Sequence, residues 1–174
     1  LDLVADCASC AALCCVVPAF TRSADFAIDE PSGVPCPNLA EHGFGCTIHD
    51  RLTERGFRAA PVYDCFGAGQ RVVQQHFGGS DWRSSPHLRV EMFAVFEVVE
   101  RLHELLWYLR DATARDLPTP LAEEVDALCI LVTGGGRRSP GGRRAASAAA
   151  GGSGARRGER TGPAGPGRCR APRG

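Results

Sequence analysis

The chain contains no lysine, so all 20 of its basic residues are arginine. It has one methionine, two tryptophans and two tyrosines, and aromatic residues make up only 7% of its 174 positions. Any core must therefore be built mainly from aliphatic side chains and cysteine. No run of 18 or more apolar residues is present, which excludes the usual signature of a membrane-spanning helix. Asp2 and Asp6 stand where a secretory signal carries positive charge, so no export signal is read there. The expected compartment is the reducing cytoplasm, where structural disulfides rarely persist. Phosphate-cradling G-x-x-x-x-G-K-[ST] loops, G-x-S-x-G elbows and H-E-x-x-H helices are all missing. His42, His49, His76 and His87 offer bases for a thiol nucleophile, but no motif pairs any of them with a cysteine. No catalytic residue and no organic-cofactor loop is assigned, and the sequence does not argue for an enzyme.

Cysteine is what the chain does have. Nine are present, and Cys7, Cys10, Cys14 and Cys15 fall within nine residues, with Cys36, Cys46 and Cys65 following at widening intervals. A thiolate is a soft, anionic donor, so a set of four favours zinc or an iron–sulfur cluster over magnesium or calcium. Four thiolates close a tetrahedral zinc shell and leave no open position, which makes such a site structural. An iron–sulfur cluster takes the same ligands but can change oxidation state. Seven thiols exceed one mononuclear site, which leaves a second, partial site or a multinuclear cluster open. The metal ligands expected are Cys7, Cys10, Cys14, Cys15, Cys36, Cys46 and Cys65, with their sulfurs converging. His49, three residues after Cys46, is weighed as a nitrogen ligand and read as a surface residue. Two other accounts compete with metal binding: reduced thiols packing as small hydrophobes, and disulfides, for which the adjacent Cys14 and Cys15 need separate partners. Cys129 reads as a core residue and Cys169 as incidental.

Local structure around these thiols is read as loops and short helices. If Ala5 to Val17 is helical, Cys7, Cys10 and Cys14 share a face; if it is a turn, Cys7 and Cys10 form a C-x2-C knuckle. Pro18 ends either form. Phe20, Phe26 and Ile28 are core candidates around an extended segment, followed by a turn at Asp29-Glu30-Pro31-Ser32-Gly33. Ala68 to Phe77 reads as a short helix stopped by Gly78-Gly79. The strongest pattern runs from Pro86 to Thr113, with Ser85 placed to cap it. There Leu88, Met92, Val95, Val99, Leu102, Leu106 and Leu109 recur at steps of three or four, and Phe93, Phe96 and Leu105 widen the stripe. A second helix is expected from Thr119 to about Val132. His103 and Trp107, one turn apart on the long helix, read as packing or surface residues.

Beyond Thr133 the composition changes. Residues 134–174 hold 13 glycines and 10 arginines against one acid, Glu159, and no Val, Ile, Leu, Met or aromatic residue. Such a segment cannot bury enough apolar surface to offset chain entropy, so a disordered tail is expected. Its arginines suit phosphate backbones, but aromatics that would stack on bases are missing. It is read as solvated chain rather than a nucleic-acid arm. Residues 1–133 carry 10 arginines and 19 acids, so the body is acidic and the tail basic.

The order Cys7-x2-Cys10, Cys14-Cys15, Cys36-Pro37-x-Leu39, Cys46-x-Ile48 and Cys65 resembles the CxxCxxCC family of small zinc- or iron-chelating domains. Two longer strings, Asp25-Phe26-Ala27-Ile28-Asp29 and Tyr63-Asp64-Cys65-Phe66-Gly67-Ala68-Gly69-Gln70, look like the form that precedes the repeats of actinobacterial pentapeptide-repeat proteins. The resemblance covers about residues 3 to 130 and implies a metal-chelating module. The chain departs from that pattern at three places. Three residues separate Cys10 from Cys14 where two are usual, Ala60 stands where related modules tend to have another cysteine, and the pentapeptides themselves are absent. No β-helix is therefore expected.

The fold expected is α-rich and irregular: a cysteine-rich metal-binding module over 1–80, a helical hairpin over 81–133 packed on it, and a disordered tail over 134–174. The function expected is that of a zinc or iron–sulfur module with a structural or interaction role. The alternatives are an iron–sulfur or thiol redox protein and, further off, nucleic-acid binding through the tail.

Overall fold

The computed structural model of the chain describes residues 2–133. The tail over 134–174, with Cys169 and the arginines weighed for nucleic-acid contact, lies outside the described residues. Among those described the architecture is α-rich, with three α-helical segments and no strand. Pairing is confined to two isolated antiparallel bridges, Phe20 with Glu30 and Leu39 with Cys46.

The segment from Ala5 to Val17 takes the turn form rather than the continuous helix. Short 3₁₀ turns cover Cys7–Ser9 and Leu13–Cys15, and between them Ala11 and Ala12 are both left-handed, with φ of 50° and 51°. That conformation costs roughly 1–2 kcal/mol for each L-residue, so neighbouring structure must hold it. The Trp82 indole N–H does so, donating to the Ala11 carbonyl at 2.8 Å in a buried bond. The three residues between Cys10 and Cys14 contain this reversal. Asp6 starts the first turn, its carboxylate accepting from the Ala8 N–H.

Helix α1 (Ala68–Gln70) opens from the left-handed Gly67 and widens into a π-helical stretch over Arg71–His76. It closes at Gly78 and Gly79, both at positive φ; the Gly79 N–H donates to the Val73 carbonyl at 2.8 Å. The long helix α2 (Arg89–Thr113) follows a 3₁₀ turn at Pro86–Leu88. Ser85 precedes that turn, but its side chain makes no capping bond. Instead the Arg89 guanidinium anchors the helix start, donating to the Gly33 carbonyl and lying over Trp82 and Phe93. Helix α3 (Thr119–Val132) packs against α2.

Of the apolar stripe on α2, Met92, Phe96, Leu106 and Leu109 are buried together with His103. Leu102 and Leu105 are exposed. Met92 and Phe96 join Leu13, Val16, Val17, Cys65, Ala68, Val72, Val73 and Trp82 in one core cluster. Phe20, Phe26 and Ile28 stand outside it, half-buried; Phe20 stacks on Phe26 with ring centres 4.3 Å apart. The cysteine-bearing turns are thus clamped between α1 and the first half of α2.

Candidate metal centre

Four cysteines surround one small cavity. Cys7 and Cys10 come from the first turn, Cys14 from the second and Cys65 from the strained loop before α1; with Tyr63, Gly69 and Phe96 they line a space of about 20 Å³. A space of that size takes a single water or ion. Gly69 allows α1 to approach, since a Cβ there would stand 2.7 Å from the Cys10 Cβ. Tyr63 reaches over the cavity and donates through its hydroxyl to Glu100 of α2 at 3.1 Å.

The neighbouring Cys15 faces a second set. Its sulfur lies 3.8 Å from the Cys14 sulfur, while its carbonyl accepts from the Cys36 N–H at 2.9 Å. The turn from Cys36 to Leu39 is closed by a 2.9 Å backbone bond, and Leu39 bridges to Cys46. Cys15 is close enough to both Cys36 and Cys46 to raise each of them electrostatically when it is a thiolate. The seven thiols therefore fall into two sets that meet at the Cys14–Cys15 pair. Cys7 is disulfide-bonded in this structure, whereas Cys10, Cys14, Cys15, Cys36, Cys46 and Cys65 are free. Among the described residues no three His, Cys, Asp or Glu side chains already stand at the spacing that grips one ion. Closing either set on a metal thus requires side-chain rotation, and for Cys7 reduction as well.

Burial governs the thiol chemistry. It pushes Cys10 and Cys36 up to about 11, and raises Cys46 and Cys65. Cys14, hydrogen-bonded to Cys15 and half-buried, rises well above the ordinary range, and that bond holds Cys15 lower. Desolvation disfavours the anion in each raised case. A bound cation reverses this balance, because a coordinating thiol is deprotonated outright.

Three site residues carry no pattern in the sequence. Glu30 sits in what reads as an exposed turn, yet it is 3% exposed and both carboxylate oxygens are buried without a hydrogen-bond partner. Burial raises it, with the Cys36 thiol acting the other way. Trp82 pins the Ala11 turn. His103 is buried, its Nδ1 donating to the Phe66 carbonyl at 2.7 Å, which fixes the proton on that nitrogen. Phe66 has a left-handed φ of 49°, and its ring lies 5.7 Å from Trp107. His103 and Trp107 thus brace the loop that carries Cys65. His49 is exposed on a 3₁₀ turn, and Cys129 is half-buried on α3.

Among known proteins the chain is similar to the uncharacterized protein YybG of Bacillus subtilis (strain 168), at 48% identity over 124 residues. That match covers 71% of this chain but 44% of YybG, so the chain spans less than half the length of its curated relative. No protein-family model matches the chain. No solved structure matches it.

Proposed function

We propose that the chain is a metal-binding module in which the clustered cysteines hold zinc or an iron–sulfur centre, serving a structural or interaction role. The observation that carries this reading is the small cavity lined by Cys7, Cys10, Cys14 and Cys65. With Cys7 reduced, four sulfurs from three separate turns around a space the size of one ion would supply the donor set of a closed thiolate site. Bound there, the metal would supply the positive charge that buried thiolates lack, and would tie the first turns to the Cys65 loop. The family resemblance supports the same reading.

Full-length chain, reduced and purified without oxygen, is the material for the test. Cys10→Ser and Cys65→Ser should each lose a metal equivalent that Cys129→Ser keeps. Metal content indifferent to Cys10 and Cys65 would remove this reading.

A thiol redox role is the second reading, favoured by the Cys14–Cys15 contact and the lowered Cys15 thiol. Rapid alkylation of Cys15 at neutral pH in metal-loaded protein would favour it over a closed site, where the sulfur is shielded.

A further inference from the structure

The geometry points to Glu30 as the fourth donor of a second metal site, completing Cys15, Cys36 and Cys46 as a three-sulfur, one-oxygen set beside the four-sulfur cavity. This rests on the metal-binding reading above and extends it to a residue outside the cysteine pattern.

Burying an ionised carboxylate costs several kcal/mol even after relaxation; both Glu30 oxygens are buried without a hydrogen bond of ordinary geometry, and the polar group that acts to stabilise the anion is the Cys36 thiol. Its backbone is tied down on both sides, which fixes the point from which the side chain projects. Glu30 and Phe20 exchange N–H to carbonyl bonds of 2.8 and 3.0 Å. Just beyond, Ser32 Oγ donates to the Val17 carbonyl at 2.7 Å and the Gly33 N–H to the Val16 carbonyl at 2.8 Å. These bonds hold the segment after Glu30 against the segment after Cys15, and the carboxylate faces the Cys15 and Cys36 thiols.

Donor counting then assigns the role. Once Cys7 is reduced, Cys7, Cys10, Cys14 and Cys65 suffice for one tetrahedral ion, which leaves Cys15, Cys36 and Cys46 one ligand short. Carboxylate is an ordinary zinc ligand. His49, the other candidate by sequence, is exposed on its turn, whereas Glu30 is enclosed with the thiols. The Cys14–Cys15 peptide places the two sites side by side.

The test is zinc and cobalt uptake by the reduced full-length chain, followed by elemental analysis and the thiolate-to-cobalt charge-transfer spectrum. Wild type should take up about two equivalents, and Glu30→Gln, which keeps the shape but removes the anion, about one. Cys65→Ser should lose the other equivalent, and His49→Ala should keep both. Retention of both equivalents by Glu30→Gln with an unchanged spectrum overturns the assignment. So does loss of an equivalent in His49→Ala in its place. A wild type holding a single equivalent that Cys65→Ser abolishes overturns the second site while leaving the module's metal binding intact. No uptake by wild type overturns both readings. Should Glu30→Gln fail to fold, X-ray absorption of the wild-type zinc form decides. About one oxygen for every seven sulfurs supports Glu30, and an all-sulfur shell overturns it.

Discussion

A hydrogen in place of a side chain at position 69 lets α1 press against Cys10, because a Cβ there would meet the Cys10 Cβ at 2.7 Å. Gly69→Ala must therefore push Cys10 aside or lift the helix. Overpacking of this kind costs about 1–3 kcal/mol. The variant should denature at correspondingly lower denaturant concentration and bind metal more weakly, since Cys10 lines the cavity. Unchanged stability and metal uptake would show that α1 and Cys10 are not held in this contact. At this scale the thiols were legible, because cysteine clustered at such density announces itself. Glu30 was not. Asp29-Glu30-Pro31-Ser32-Gly33 has the composition of a solvated turn, and only the pairing of Phe20 with Glu30 and the return to Val16 and Val17 enclose its carboxylate. Burial of that kind is set by distant partners and leaves no local pattern.

Between elements the decisive contact is α2 against the loop after Cys65. His103 donates from Nδ1 to the Phe66 carbonyl and is held neutral; burial lowers it from its ordinary value of 6.5, and the nearby Arg71 and Arg110 act in the same direction, against the raising effect of the Phe66 carbonyl. A group with a lowered folded value binds fewer protons folded than unfolded, so stability falls as pH drops below 6.5 and levels off beneath the folded value. Denaturant titrations of metal-free protein across that window should show the fall, and His103→Asn, which keeps a donor but not the charge, should flatten it. A variant with the wild-type pH profile would place the effect elsewhere. Helix α2 itself was readable from its period of three to four, as was the stop at Gly78 and Gly79. The periodicity puts Leu102 and Leu105 on the stripe, but both are exposed, and the buried face of α2 runs through His103, Leu106 and Leu109 instead. Ser85 is the residue type that caps a helix but makes no capping bond; Arg89 secures the helix start through the Gly33 carbonyl and the rings of Trp82 and Phe93. The choice between helix and turn at Cys7–Cys15 rested on Trp82 reaching Ala11 across 71 positions, a contact no local window contains.

On the scale of the whole molecule, one apolar cluster packs the thiol-bearing turns between α1 and α2, and no helix among the described residues is long and apolar enough to cross a membrane. The match covers less than half the length of YybG. The two adjoining sets supply six free thiols, two buried and four half-buried, and one disulfide-bonded cysteine, with a buried carboxylate beside the second set. Removing bound metal by chelation should loosen the turns first, because α2 and α3 hold their own backbone bonds. The most direct test of this account is elemental analysis with an optical spectrum of full-length chain purified without oxygen. Zinc in colourless protein, or iron with acid-labile sulfide in brown protein, is the result the account predicts. Protein that carries no metal after anaerobic handling, and takes up none on reconstitution with the thiols reduced, would contradict it.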